Sequence, residues 1–242
     1  MSLIILTTAY NCEKYIEKCL STIMTQKHND FRCFIMDDLS TDNTVNKIKS
    51  IIQNDDRFLL IENTKKMYQP GNYNQIIRGN YDIKDDDICV EVDGDDWLPD
   101  TNVFNRIEET YSNNDVWLSN GSFKYHDGRM GFSSPHSSFE NIRHKPFTLS
   151  HIRTWKVFLW KNIKEEDLKD DNGEYWDVAG DLSFMFPMVE MSGIDHYKFM
   201  HDINYVYNEE NPLNDHKLHL WRVQQVNSII RNKPNYNLLK NV

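Results

Sequence analysis

The chain has 242 residues, of which 27 are Lys or Arg and 37 are Asp or Glu, so its formal net charge is −10 at pH 7. A chain of this length can fold as one large α/β domain without disulfides or a structural metal. The acidic balance argues against sequence-independent nucleic-acid binding and against electrostatic docking on anionic lipid, because both need a basic face.

The four cysteines, at positions 12, 19, 33 and 89, form no CxxC pair. A disulfide framework or a zinc ribbon is therefore not expected, and a reducing compartment is favoured. The N-terminal residues lack the basic region of a signal peptide. No stretch approaches the roughly 18 apolar residues of a membrane-spanning helix. We expect a cytoplasmic protein, with peripheral attachment to a membrane through a partner left open.

The first half of the chain alternates strand and helix patterns. Short apolar runs predict strands at 3–6, 31–36, 58–61 and 88–92. Apolar residues at helical spacing predict helices at 15–24, 45–52 and 73–79 and another after 99, with Asn11 as the N-cap of the first. Strands that alternate with amphipathic helices favour a parallel sheet built from right-handed βαβ units.

The second half of the chain, from residue 116, has a less regular pattern. Short strands are expected at 116–119, 122–125, 194–199 and 203–207, and helices from Gly180 and over 216–230. No internal repeat or flexible linker divides the chain. The sequence therefore predicts a single α/β domain over residues 1–242.

Three acidic residues follow the predicted strand at 88–92, in the run Asp93-Gly94-Asp95-Asp96. Side chains alternate along a strand, so Asp93 and Asp95 are expected to point the same way. Carboxylate oxygens there would suit Mg²⁺ or Mn²⁺, which also bridges to phosphates. The alternative is a solvated acidic turn before a helix, but carboxylates packed after a buried strand are costly without a cation.

Two more groups of polar residues follow predicted strands. Asp37 and Asp38 end the second strand, where a carboxylate can accept the imide N–H of uracil or a ribose hydroxyl. The alternative is a helix-capping cluster, which fits Asp42 but not the two residues that precede the cap. In the turn after the first strand, Thr8 can hold a ribose and Tyr10 can stack on a base.

Together the three groups, within 5–11, 34–42 and 92–99, resemble in order and spacing the signatures of family 2 glycosyltransferases with the GT-A fold, and 74–79 resembles an intervening family segment. The resemblance implies a mostly parallel central sheet flanked by helices. It also implies a nucleotide-sugar-binding half at 1–115 and an acceptor-binding half at 116–242. We expect both halves to belong to one compact domain.

The resemblance further implies inverting, metal-dependent transfer of a sugar from a nucleotide diphosphate donor, first of all a UDP-sugar, to a hydroxyl of a glycan or similar acceptor. Mn²⁺ or Mg²⁺ is the implied cofactor. The resemblance implies that Asp95 binds the metal and that Asp93 binds the ribose or the metal. The residues implied to contact the nucleoside or another part of the donor are Thr8, Tyr10, Asp37, Asp38 and Arg78.

A general base is implied about ninety residues after the metal motif, and Asp181 takes that position. A carboxylate there can accept the proton that an acceptor hydroxyl loses as it attacks the anomeric carbon. Asp177 is the second candidate. The alternative for Asp181 is a purely helix-capping role, although a base can occupy the same position.

Further candidates come from the second half of the chain. The segment 150–156 resembles a stretch found before the base in some of these transferases, which makes His151 and Arg153 candidate contacts to the acceptor or the donor pyrophosphate. Trp176 is a candidate for stacking on an acceptor sugar, with core packing as the alternative. The stretch 205–212 takes the place of a loop that closes over the donor, and His216 is then a candidate metal or phosphate contact.

Two other functions are alternatives to sugar transfer. A sugar nucleotidyltransferase needs a glycine-rich loop after its first strand, but the first glycine of this chain is Gly71. A catalytically degenerate protein that binds a nucleotide sugar or a glycan is the stronger alternative. The presence of every expected carboxylate favours an enzyme. The expected partners are a nucleotide sugar and a hydroxyl acceptor, without nucleic acid or a transmembrane segment.

Overall fold

The structure is a computed structural model that describes residues 1–214, 217 and 219–240. Strands and helices alternate along its first half, as the apolar runs predict. The elements are β1 (Leu3–Ala9), α1 (Ile16–Met24), β2 (Phe31–Asp37), α2 (Thr44–Ile52), β3 (Phe58–Glu62), α3 (Tyr68–Ile77), β4 (Ile88–Glu91), α4 (Val103–Tyr111), β5 (Leu118–Tyr125), β6 (Arg153–Lys156), α5 (Val157–Lys161), α6 (Gly180–Ser192), β7 (Tyr197–Tyr207) and α7 (Leu220–Arg231).

Within the described residues, seven strands form one sheet in the order β3-β2-β1-β4-β6-β5-β7. The strands β3, β2, β1 and β4 are parallel, β6 runs antiparallel to both β4 and β5, and β7 is parallel to β5. The predicted single α/β domain with a mostly parallel sheet is confirmed. Since most strands point the same way, their carboxyl ends meet at one edge, where such sheets bind ligands.

Two apolar clusters cover the two faces of the sheet. Along β1, Ile4 and Leu6 belong to one cluster, whereas Leu3 and Ile5 belong to the other. The central strands are therefore buried on both faces, which explains why their sequences are continuous apolar runs rather than alternating ones. Helix α6 packs against α3, α5 and α7. This helix begins at Gly180, as predicted, although nearly all its residues are buried and it has no polar face that would give a helical periodicity.

Two details of the first half differ from the predictions. Asn11 does not cap α1, which begins at Ile16; its side-chain oxygen instead accepts the amide N–H of Thr41 at 2.7 Å. The backbone of Asn11 has φ = 46°, so it turns away before the helix starts. Helix α3 begins at Tyr68, five residues before the predicted start, because its first turn contains Pro70 and a glycine that disguise a helical pattern.

The second half contains longer strands than predicted. The expected strands at 116–119 and 122–125 are one strand, β5, and those at 194–199 and 203–207 are one strand, β7. The pairing of β5 with β7 shifts register near Gly121 and Ser122, and this irregularity accounts for the broken sequence pattern. In the described part of the chain, no helix is both long enough and apolar enough to cross a membrane.

Candidate active site

A cavity of about 840 Å³ opens at the edge where the parallel strands end. Its wall takes residues from the loops after β1, β2, β4, β5 and β7 and from the N-terminal end of α6. The predicted site residues on this wall are Thr8, Tyr10, Asp38, Asp93, Asp95, His151, Arg153, Trp176 and Asp181. Residues far apart in the sequence therefore surround one space.

The structure separates the two neighbouring acids that end β2. Asp38 lines the cavity, and its Oδ1 accepts the amide N–H of Met67 at 2.8 Å and Asn63 Nδ2–H at 2.9 Å. Asp37 is also buried, but it lies beneath the wall, where its Oδ2 accepts the amide N–H of Ser40 at 3.1 Å. Asp38 can reach a ligand in the cavity, whereas Asp37 does not line it among the described residues and bonds within the turn, so the donor contact by Asp37 stays a prediction.

The turn after β1 presents an aromatic ring to the cavity. Tyr10 is 43% exposed, and the ammonium group of Lys66 lies 3.0 Å from its ring centroid. Lys66 Nζ is also 3.8 Å from Asp38 Oδ2. Thr8 lies deeper and donates its hydroxyl hydrogen to Asp93 Oδ1 at 3.3 Å. This corner therefore combines a stacking surface with a carboxylate and a cation.

A tight turn fixes the acids that follow β4. The amide of Gly94 donates to the Thr8 carbonyl oxygen at 2.9 Å, and a Cβ at Gly94 would lie only 2.8 Å from that oxygen. A side chain does not fit at this close approach, so glycine is required between the two acids. The amide of Asp96 then donates to the Asp93 carbonyl oxygen at 3.0 Å. The ends of β1 and β4 are thereby held against each other.

The three carboxyl groups of this turn are in an unfavourable environment for negative charge. Burial raises the pKa of Asp95, which accepts a hydrogen bond from Asn211 Nδ2 at 2.7 Å. Burial, together with the charges of neighbouring acids, raises the pKa of Asp93 and Asp96 well above the usual range. Asp96 Oδ2 has no hydrogen-bond partner in the described part of the chain. Hard oxygen donors with this surplus of negative charge suit a divalent cation.

A second grouping of ligand atoms lies next to this turn. One ligand atom from each of Glu91, Asp93 and His151 lies within 4.8 Å of the others. However, Glu91 Oε1 already accepts a hydrogen bond from Arg153 Nη1 at 2.5 Å. A cation among these three residues would lie beside a guanidinium group, which disfavours it electrostatically. Asp93 and Asp95 both line the cavity, and neither is bonded to that guanidinium group in the described part of the chain.

A buried arginine joins the end of β4 to the start of α6. Besides its bond to Glu91, Arg153 donates through Nη2 to Asp181 Oδ2 at 2.6 Å and through Nε to the Leu149 carbonyl oxygen at 2.9 Å. Asp181 Oδ1 accepts the amide N–H of Leu182 at 3.0 Å. Both oxygens of the candidate base are thus held by the protein, and the guanidinium group is not free to face an acceptor.

Charges in this group influence one another strongly. Burial raises the pKa of Glu91 to about 7, although the charge of Arg153 acts in the opposite direction. Burial lowers the pKa of Arg153, but the charges of Glu91 and Asp181 outweigh burial, so the net shift is upward. Burial, followed by the charge of Arg153, lowers the pKa of His151 well below its usual range. The sequence did not predict Glu91 as a residue of the site. The one sequence feature that could have indicated it is an acidic residue in an otherwise apolar strand.

The remaining acceptor candidates are packed into the wall. The ring of His151 stacks on Tyr205 with centroids 4.4 Å apart. Trp176 is only 3% exposed and donates through Nε1 to the Asp167 carbonyl oxygen, so it has little free ring surface. Asp177, the second candidate base, is paired with Arg222 across 3.0 Å.

Two other predicted contacts, by Arg78 and His216, are not among the residues that line the cavity in the described part of the chain. Arg78 does not line the cavity among the described residues; its guanidinium donates to the carbonyl oxygens of Trp160 and Ile163, at 3.2 and 2.6 Å. It follows the last turn of α3, whereas the α3 residues that line the cavity are in its first half, so the donor contact by Arg78 stays a prediction without support from this geometry. His216 lies outside the described residues.

This chain resembles known proteins in both its sequence and its fold. The sequence profile of the family described as Glycosyl transferase family 2 matches residues 4–165. The fold is similar to S. aureus TarS 1-349 in complex with UDP-GlcNAc, with 15% identity and a TM-score of 0.69 over 95% of this chain and 66% of that chain. It is also similar to mannosyltransferase PcManGT from Pyrobaculum calidifontis in complex with GDP-Man and Mn²⁺, with 18% identity and a TM-score of 0.60 over 97% and 65%.

A third structure, glucosyl-3-phosphoglycerate synthase from Mycobacterium tuberculosis in complex with Mn²⁺, UDP and glucosyl-3-phosphoglycerate, has 12% identity and a TM-score of 0.62 over 97% of this chain and 81% of that chain. At these identities the structural likeness establishes the fold. The chain spans less than two thirds of the length of the first two proteins.

Proposed function

The chain belongs to glycosyl transferase family 2, and from this premise we propose that it moves a sugar from a nucleoside diphosphate, in the first instance a UDP-sugar, to an acceptor hydroxyl with inversion at the anomeric carbon. One observation carries the proposal. Four carboxylates that could serve nucleoside, metal and base converge with an exposed tyrosine on one cavity. They are Asp38, Asp93, Asp95 and Asp181.

The nucleoside would bind at the corner formed by the ends of β1 and β2. The exposed ring of Tyr10 offers a face for the base. Asp38 keeps accepting capacity beyond its present bonds, so it suits an imide N–H or a ribose hydroxyl. Lys66, which lies beside both residues, would favour a ligand that carries negative charge.

Asp93 and Asp95 would hold Mn²⁺ or Mg²⁺. Half-buried acids with raised pKa values, beside an Asp96 oxygen without a partner in the described residues, fit a site that is completed by a cation. When bound, the ion would supply positive charge to the diphosphate that leaves. Asn211 and Asp96 would keep the loop after β7 against this site.

Asp181 would act as the general base. The acceptor hydroxyl oxygen forms a bond to the anomeric carbon, and the bond from that carbon to the diphosphate oxygen breaks, with its electron pair leaving on the nucleoside diphosphate. The hydroxyl proton passes to the Asp181 carboxylate. A positioned carboxylate of this kind contributes roughly 10²–10⁴-fold to the rate.

The test begins with thermal-shift measurements on UDP-, GDP- and dTDP-sugars with and without Mn²⁺. We expect a UDP-sugar to raise the melting temperature only when Mn²⁺ is present, and Asp95→Asn to remove that increase. Asp181→Asn should bind the same donor as tightly as wild type but release nucleoside diphosphate at least about 100-fold more slowly. No shift with any nucleotide sugar would contradict the transferase proposal, and wild-type turnover of Asp181→Asn would contradict the base assignment.

The same measurements address the degenerate alternative. A protein that only binds nucleotide sugars would show the thermal shift without any release of nucleoside diphosphate, whichever acceptor is supplied. Release that depends on Asp181 separates the two.

A further inference from the structure

Arg153, in the wall of the cavity, contacts two carboxylates although it carries one positive charge. Its side chain is only 4% exposed and lies between Glu91 and Asp181. Strand β6 carries it there by pairing antiparallel with β4. Of the two carboxylates, Glu91 is completely buried and faces no acceptor, whereas the Asp181 side chain is 22% exposed.

These contacts restrict the Asp181 carboxylate. Oδ2 is held by Arg153 and Oδ1 by the backbone amide of Leu182. The N-terminal end of α6 packs closely against α3, since a Cβ at Gly180 would lie only 2.7 Å from the ring of Pro70. The orientation of the carboxylate is therefore set by one side chain and one backbone amide, at a closely packed helix end.

Glu91 in turn holds Arg153. Its Oε1 accepts Nη1–H of the arginine and, at 3.2 Å, Nε2–H of Gln69. The Leu149 carbonyl oxygen accepts the Nε–H of Arg153. Two of the arginine's N–H groups are thus held by groups behind the wall, and a third donates to the candidate base.

We propose that Arg153, anchored by Glu91, is a positioning residue that holds the carboxylate of Asp181 toward the anomeric centre, rather than a contact to the acceptor or the pyrophosphate. The inference rests on the proposed function, since it gives Asp181 the role of base. A misplacement of about 1 Å at a reacting group lowers the rate by about 100-fold. The residue therefore acts on kcat through Asp181.

The fold offers a matched control in a second buried Arg–Glu pair. Arg143 has a side chain 3% exposed and bonds Glu190 through Nε and Nη2, at 2.6 and 2.8 Å. Neither residue lines the cavity among the described residues. Arg143→Met should therefore lose stability as Arg153→Met does, while its kcat stays within about threefold of wild type.

The assay follows UDP release from the UDP-sugar with the largest Mn²⁺-dependent thermal shift, with water as the acceptor, and the UDP·Mn²⁺ affinity is measured by calorimetry. Arg153→Met should lower kcat about 100-fold and leave the UDP affinity within about twofold. Arg153→Lys keeps a cation at this place and should recover about tenfold of the loss. The double variant Arg153→Met with Asp181→Asn should turn over at the rate of Asp181→Asn alone, because residues that act as a unit are not additive.

Each other outcome has a definite meaning. Additive losses in the double variant, wild-type kcat in Arg153→Met, or an equal loss of kcat in Arg143→Met would overturn the positioning role while Asp181 remained the base. A weaker UDP affinity with unchanged kcat would instead identify a pyrophosphate contact. Wild-type turnover of Asp181→Asn would overturn the base assignment and this inference with it.

Discussion

Glutamine at position 91 should stabilise the metal-free protein at neutral pH and leave it unchanged in weak acid. The side chain of Glu91 is 0% exposed, and its Oε2 has no partner in the described residues. Removing its charge does not leave Arg153 unpaired, because Asp181 remains 2.6 Å from Nη2. Glutamine also keeps the shape of the side chain. The main change is thus the loss of one buried negative charge.

The size of the effect follows from the pKa of Glu91, which burial raises from 4.5 to about 7. At about 1.36 kcal/mol per unit, this shift corresponds to about 3 kcal/mol. The folded protein binds this proton more tightly than the unfolded chain does, so wild-type stability decreases as the pH rises from about 4.5 to about 8. Glu91→Gln has no such decrease, and it should gain about 3 kcal/mol over wild type across that window.

Urea unfolding followed by tryptophan fluorescence, in EDTA and without donor, measures the difference at several values between about pH 5 and about pH 8. Glu190→Gln is the control, because Arg143 has no second carboxylate partner in the described part of the chain. That variant should lose about 3–5 kcal/mol throughout the range. Parallel pH curves for wild type and Glu91→Gln, or a deficit of the variant that grows with pH, would refute the reasoning.

Three further substitutions test the site and its support. Gly94→Ala places a Cβ 2.8 Å from the Thr8 carbonyl oxygen, so it should lower the free energy of unfolding by about 1–3 kcal/mol and weaken Mn²⁺-dependent UDP binding in calorimetry. Unchanged UDP affinity would mean that this turn does not position the carboxylates. Arg78→Met should lower the melting temperature, because the bond to the Ile163 carbonyl oxygen is lost, and should change UDP affinity by less than about twofold. A tenfold loss of UDP affinity would show that Arg78 contacts the donor. Trp155→Ala removes a fully buried ring and should cost about 3–5 kcal/mol in urea unfolding, and a cost below about 1 kcal/mol would contradict the packing.

The sequence could predict that Asp38 and Asp93 lie at the cavity, because parallel strands bring their carboxyl ends to one edge of the sheet. Asp38 and Asp93 each follow a buried apolar run. Parallel strands end at one edge, so residues that follow such runs are brought together wherever the helices between them lie. The same reasoning could not separate Asp37 from Asp38, since the choice depends on which carboxylate the turn itself uses.

The contacts around Asp181 could not be predicted in this way. Arg153 bonds one residue 62 positions before it and another 28 positions after it. The contact forms because β6 enters the sheet between β4 and β5, reversed and out of chain order. The position of Arg78 has a related cause, since it follows the last turn of α3 and the α3 residues at the cavity lie in the first half of the helix.

By itself, the sequence determined the α/β class, the order of the first strands and helices, and the strand ends at which Tyr10, Asp38, Asp93 and Asp95 lie, because local periodicity and the geometry of parallel strands encode them. Only the tertiary structure decided which groups face one another across the cavity. The pairing of Asp181 with Arg153, the burial of Glu91 and the hydrogen bond from Asn211 to Asp95 arise from chain segments that are distant in sequence. The energies of buried charges depend on these neighbours, so burial and pairing set the chemistry of the site.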